Sequence, residues 1–258
     1  MPARPERPVH PRPFLDKSLN SKTLHFSICD VQSRMRMDRP DDLVLAYTQL
    51  MMGFLLFSPD PRHIAMIGLG GGSLAKFCHR YLPEARIQVL EINPHVIALR
   101  DEFQVPADNH RFHVRKEDGA DHVRTTSNRY DVIVADGFDA DGVPPNLCSQ
   151  AFYDDCCNVL APGGVLVANL HAGHRQFSES VERMAQGFAG NVVLIDELEC
   201  NNVIAFALKE GTPAVLSANL ERCAATLAPE ARLQLEPSFA RIRDCAWRSD
   251  GTALDFGG

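Results

Sequence analysis

Between residues 63 and 208 short apolar runs alternate with helix-like stretches, and this rhythm constrains the fold more than any other property of the chain. Strands are expected at His63–Ile67, Arg86–Glu91, Arg111–Arg115, Tyr130–Ala135, Gly164–Asn169, Val192–Ile195 and Val203–Leu208. Helices are expected at Gly72–Tyr81, Pro94–Phe103, Gly119–Thr125, Ser149–Leu160 and Phe177–Gly187. Strands that alternate with helices form parallel βαβ units, with helices on both faces of one sheet. The last two strands are joined across Asp196–Asn202, too short a link for a crossover helix. The final strand is therefore expected to run antiparallel to its neighbour.

The expected fold class is α/β, a Rossmann-like doubly wound sheet of about seven strands with a small N-terminal β region. Residues 1–20 carry Pro2, Pro5, Pro8, Pro11 and Pro13 among basic residues and are expected to form a flexible arm. Residues 21–60 are expected to hold a β-hairpin (Leu24–Ile28 and Val31–Met35) and a strongly apolar helix over Asp41–Phe57, capped by Asp41 or Asp42. Such a helix, apolar nearly all round, has to be buried somewhere. Residues 61–210 are expected to form the Rossmann-like domain, and 211–258 a helical extension with helices near Ala214–Thr226 and Phe239–Trp247.

Within that frame the glycine-rich stretch Gly68-Leu69-Gly70-Gly71-Gly72-Ser73 falls between the first strand and its helix. Gly68, Gly70 and Ser73 give the spacing G-x-G-x-x-S, and glycines here let the backbone turn sharply against a ligand. Ligands of open α/β sheets bind beyond the carboxyl ends of the strands, and three further strand ends are acidic. The second ends at Glu91, placed either to accept bonds from a ribose or to sit as a solvated charge at a helix entry. Glu117-Asp118-Gly119 follows the third; Asp118 reads as an acceptor for an adenine amino group or as a helix N-cap. Asp136 ends the fourth, opening the run Asp136-Gly137-Phe138-Asp139-Ala140-Asp141-Gly142. Together these residues point to a nucleoside site.

Composition narrows the partners. With 33 acidic and 26 basic residues the formal net charge is −7, which argues against a nucleic-acid or anionic-membrane surface and suits a cationic small molecule. The 8 cysteines are scattered and include no C-x-x-C pair, as expected of reduced, largely buried thiols in a cytoplasmic protein. No apolar run reaches the length of a membrane span. His171 and His174 form an H-x-x-H pair without an evident third ligand, so no metal is expected.

In order and spacing these motifs resemble the spermidine synthase (polyamine aminopropyltransferase) family, within the Rossmann-like folds that bind S-adenosylmethionine. That family reads V-L-I-I-G-G-G-D-G-G, an acidic strand end, G-D, then D-V-I-I-x-D-S-x-D-P-x-G-P, an F-Y helix and a P-G-G-V-L turn. The matching text is Ile64–Ser73, Val89–Pro94, Glu117–Gly119, Asp131–Gly142, Ala151–Tyr153 and Leu160–Val167, with Val31-Gln32 and Tyr47-Thr48-Gln49 upstream. The resemblance covers roughly residues 24–208. It implies a decarboxylated S-adenosylmethionine donor held by Gln32, Gly68, Gly70, Gly72, Glu91, Asp118 and Gly119. It implies a diamine acceptor such as putrescine, with Asp136 deprotonating and orienting the attacking amine, Asp139 holding the distal ammonium, and Tyr47 positioning the nucleophile. A homodimer is implied as well. Some positions depart from the pattern: Gly71 stands where the family has aspartate, Gln49 where it has glutamate, and Asp139-Ala140 where it has D-P. Three readings are open at this point: an aminopropyltransferase with its own choice of amine, a methyltransferase using S-adenosylmethionine, and a non-catalytic binding protein.

Overall fold

The computed structural model describes residues 10–27, 31–138, 142–197, 201–210 and 216–248. Its centre is a 7-stranded sheet. In chain order the strands are β4 (His63–Ile67), β5 (Arg86–Glu91), β6 (Phe112–Lys116), β7 (Tyr130–Ala135), β8 (Leu160–His171), β9 (Val192–Asp196) and β10 (Asn202–Leu208). In space they lie in the order β6-β5-β4-β7-β8-β10-β9. Neighbours from β6 to β8 pair in parallel, whereas β10 runs antiparallel to both β8 and β9. The tight link before the last strand thus has the expected consequence, and the last strand is inserted between two earlier ones.

Period-two alternation sorts each strand's side chains onto opposite faces of the sheet. Ile64, Met66, Val132, Val134, Val165 and Val167 enter one core, which also takes residues of α1 (Ala46–Met51), α2 (Ser73–Tyr81), α7 (Leu216–Thr226) and α8 (Pro229–Arg248). Ala65, Ile67, Ile133, Ala135, Leu166 and Ala168 enter the other, beneath α4 (Gly119–Thr125), α5 (Gln150–Val159) and α6 (Phe177–Gly187). Each large aliphatic side chain fully buried this way contributes about 1.5–3 kcal/mol. Among the described residues no helix is long and apolar enough to cross a membrane.

Several elements differ from expectation. Phe14–Lys17, expected within the flexible arm, is strand β1; it pairs with β2 (Ser21–His25), which pairs with β3 (Val31–Arg36), so the hairpin becomes a 3-stranded sheet. The helix expected over Asp41–Phe57 is α1 followed by a 3-10 segment, Met52–Leu56. Its N-cap is Leu45, with no side-chain cap, rather than Asp41 or Asp42. Asp42 instead accepts a bond from Gln234 at 3.2 Å. The helix expected over Pro94–Phe103 stops as α3 at Pro94–Ile97, and the chain beyond it turns through Gln104 at φ +53°.

The C-terminal helices explain how the apolar segment 43–57 is covered. Asn219 donates to the Leu56 carbonyl at 2.8 Å, and the Leu43 N–H donates to Gln234 at 2.9 Å. Leu235, Phe239 and Ile242 of α8 join the core that holds Leu50 and Phe54. The helix expected at Phe239–Trp247 starts at Pro229 and continues through Pro237. This buried face holds the helix together where proline removes one internal bond.

Candidate active site

The chain leaves β4 in one direction to build β5 and β6, and returns on the other side of β4 with β7. Such a reversal opens a crevice at the carboxyl ends of the strands. A cleft of about 1140 Å³ lies there. Gly68 sits at its floor with φ +96°, a conformation that L side chains rarely adopt. A Cβ at Gly68 would also run into the Asp136 carbonyl oxygen, so the exits of β4 and β7 approach this closely only over glycine. Gly70 and Gly72 also have positive φ, at +51° and +69°, and Gly72 is the N-cap of α2.

Glu91, at the end of β5, is 7% exposed. One carboxylate oxygen accepts the Leu69 N–H at 2.8 Å, the other the Asn93 N–H at 2.7 Å. Burial pushes its carboxyl above the ordinary range, and N–H donors from Asn93 and Leu69 pull against that. It therefore fastens the glycine loop to β5 while lining the cleft. Asp118 is the N-cap of α4, one of its two expected readings, and it also reaches the cleft. Oδ1 caps α4 through the Ala120 N–H at 2.8 Å, while Oδ2 takes the Asn146 side-chain amide at 3.1 Å at the cleft wall. Gly119 lines the same wall, and a Cβ there would collide with Ile67.

Asp136 follows β7. Its Oδ1 accepts from the Asn169 side-chain amide at 3.0 Å and its Oδ2 from the Tyr47 hydroxyl at 3.3 Å. Burial raises its pKa, and the two hydrogen bonds oppose the rise. Tyr47 is driven strongly the other way from ionisation, first by burial and then by the Asp136 charge, so it remains a donor. The Gln32 carbonyl lies at 3.3 Å from the same hydroxyl. With one proton to give, Tyr47 bonds one of these two acceptors at a time. Gln32 and Tyr47 both line the cleft. Asp139 lies outside the described residues.

Other lining residues depend on contacts distant in sequence. Ser33 and Ser73 place their hydroxyls 3.3 Å apart beside the glycine loop. The position that a side chain at Gly71 would take is filled, since its Cβ would lie 2.5 Å from the Ser33 hydroxyl and 2.9 Å from the Phe103 ring. Gln49 donates to the Leu43 carbonyl at 2.8 Å. Glu197, after β9, is buried and lines the cleft with Asn169, His171 and His174. Ser33 and Glu197 carry no sequence signal by themselves. Only the strand order, which sets β10 and β9 beside β8, brings Glu197 towards Asp136.

A glycine loop at the reversal point, with acidic residues at the next strand ends of a sheet whose last strand is antiparallel, defines the methyltransferase-like α/β fold class. A family model described as "Spermine/spermidine synthase domain" matches residues 44–195. The chain belongs to the spermine/spermidine synthase family. It is 38% identical over 208 residues to a polyamine aminopropyltransferase of Chromobacterium violaceum, spanning 80% of each chain. In fold it matches a probable spermidine synthase from Corynebacterium glutamicum with a TM-score of 0.67 and 20% identity, over 88% of this chain and 91% of that one. A human methyltransferase-like protein 13 in complex with SAH shares the fold at a TM-score of 0.56 and 21% identity, over 82% and 97% of the two chains.

Proposed function

We propose that this chain transfers an aminopropyl group from decarboxylated S-adenosylmethionine to a small cationic amine, a diamine such as putrescine. The observation that carries this reading is Asp136, held at both oxygens by Tyr47 and Asn169 in the same cleft as Glu91 and Asp118. Glu91 accepts from the ribose hydroxyls, Asp118 with Gly119 faces the adenine, and Gly68 and Gly70 give the backbone room at the sulfonium; Gly72, expected among the binding residues, packs against Val105 instead of lining the cleft. Gln32 lies beside the donor's tail. The amine nitrogen attacks the carbon next to sulfur. A C–N bond forms, the C–S bond breaks, and the electron pair stays on sulfur as neutral methylthioadenosine.

An ammonium has no lone pair, so the nitrogen has to lose one proton, and Asp136 accepts it directly or through water. The sulfonium is already an activated leaving group. The protein's remaining contribution is alignment and field, with Tyr47 orienting the nucleophile. Asp139 is assigned the distal ammonium by the resemblance to the family, and Glu197 is a further carboxylate on the described wall of the cleft.

The test is to mix purified protein with decarboxylated S-adenosylmethionine and putrescine and follow both products by mass spectrometry. Methylthioadenosine and a triamine are expected in equal amounts. A protein that binds methylthioadenosine yet releases none from saturating substrates refutes aminopropyl transfer. One observation favours a second reading. Gly71 stands where the family has aspartate, and the polar groups next to it are the Ser33 and Ser73 hydroxyls, which suits a donor tail that still bears its own carboxylate. S-adenosylhomocysteine formed from S-adenosylmethionine in a parallel reaction is the signature of methyl transfer. From the resemblance we further infer a cytoplasmic homodimer; sedimentation velocity distinguishes it from a monomer.

A further inference from the structure

Next to Asp136 lies a second, much smaller cavity of about 10 Å³, lined by Gly137, Val143, Leu147, Tyr153 and Asn169 among others. That is about the room one water molecule needs. Among the described residues four buried side-chain polar atoms make no hydrogen bond of ordinary geometry to the protein, and two belong to this lining: the Tyr153 hydroxyl, which has only the Ser180 hydroxyl within looser reach, and Asn169 Oδ1. Tyr153 is 1% exposed and Asn169 6%. A buried polar atom left without a partner is costly, so both have to be satisfied by something.

Their chemistry is complementary. Asn169 gives its Nδ2 to the Asp136 carboxylate at 3.0 Å, which fixes the amide's orientation and leaves Oδ1 needing a donor. Tyr153 has a proton to give. Burial above all keeps its phenol from ionising, so it is a donor at any working pH. The two atoms make no direct bond with each other.

We propose that one ordered water sits in this cavity, accepting from Tyr153 and donating to Asn169 Oδ1, which makes Tyr153 a positioning residue for Asp136. The relay runs from Tyr153 through the water to Asn169, and from Asn169 Nδ2 to Asp136 Oδ1. It locks the amide so that its nitrogen, never its oxygen, faces the carboxylate. The proposal rests on the reading of Asp136 as the proton acceptor. The groups facing Asp136 are Tyr47 from α1 and Asn169 from β8, and the titratable groups elsewhere around the cleft include Glu91, His171, His174 and Glu197. Tyr153 is flanked by Cys148, Cys156 and Arg183, and by Ser180, which opposes the effect of burial on the phenol while its own proton goes to the Gln176 carbonyl at 2.8 Å.

The test is Tyr153→Phe, which keeps the ring and removes only the hydroxyl. A high-resolution crystal structure of the unaltered protein is expected to show the water within hydrogen-bond distance of both atoms, and the variant is expected to lose it. The Asp136 carboxyl, followed by carbon-13 NMR, is expected to titrate about 0.5–1 pH unit higher in the variant, as one charge-assisted bond is weakened. The acid limb of the kcat profile moves with it, kcat falls about tenfold or less, and the Kd for methylthioadenosine is unchanged. An unmoved Asp136 titration in a variant with normal nucleoside binding overturns the relay. So does a structure in which no water bridges the two atoms. The NMR titration needs no turnover, so failure of aminopropyl transfer and failure of the relay are told apart.

Discussion

Asp136→Asn is expected to lower kcat by about 10²–10⁴-fold, the range that a positioned general base supplies, while leaving methylthioadenosine binding near that of the unaltered protein. The substitution keeps the shape and removes the proton acceptor. An asparagine oxygen can still take the Asn169 amide, and Tyr47 can turn its proton to the Gln32 carbonyl, also at 3.3 Å. The same change is expected to stabilise the fold at neutral pH. Burial raises the folded-state pKa of Asp136 above its unfolded value. Stability from such a group is fully present below the unfolded pKa and is lost as pH rises through the folded one. At pH 7 the unaltered protein therefore carries an unfavourable ionised carboxylate that asparagine does not. Thermal melts of the two proteins should differ in favour of the variant at pH 7, and the advantage should fade on acidification below the carboxylate range. Undiminished turnover in the variant would remove Asp136 from the chemistry. A lower melting temperature at pH 7 would show that its two hydrogen bonds outweigh the cost of its charge.

Glu91→Ala is expected to weaken methylthioadenosine binding by about 10- to 100-fold, since hydrogen bonds to a charged acceptor are worth roughly 1.5–3 kcal/mol. It also leaves the buried Leu69 and Asn93 N–H groups without their acceptor. Each such loss costs about 1–3 kcal/mol, so the melting temperature should fall by at least about 4 °C for a chain of this size. Calorimetric titration and a thermal melt read the two effects separately. If the melt falls and nucleoside affinity holds, Glu91 is a fastener for the glycine loop and nothing more.

The parts of the fold that rest on local pattern were legible. Tyr130–Ala135 and Gly119–Thr125 have the expected ends, because an aliphatic run stopped by Asp136-Gly137 and an aspartate N-cap each carry their own boundary. The parts set by distant partners were not. Nothing between Asp41 and Phe57 announces a 3-10 segment; it arises where Gly53 lies against Ile242 and Phe206. The site divides in the same way. Glu91, Asp118 and Asp136 could be found because each ends a strand, and strand ends are where such sheets bind. The Ser33–Ser73 pair joins two elements 40 residues apart. Asn169 meets Asp136 only because β8 lies beside β7.

The cover that α8 places over the segment carrying Tyr47 has a consequence in time. Gln234 ties down both Leu43 and Asp42, a few residues ahead of that tyrosine. A ribosome makes the glycine loop, Glu91, Asp118 and Asp136 well before it reaches residue 234. The part of the cleft that these residues line can thus assemble from a chain still being synthesised. The face that brings a hydroxyl to Asp136 gains the support of Gln234 only when α8 has emerged.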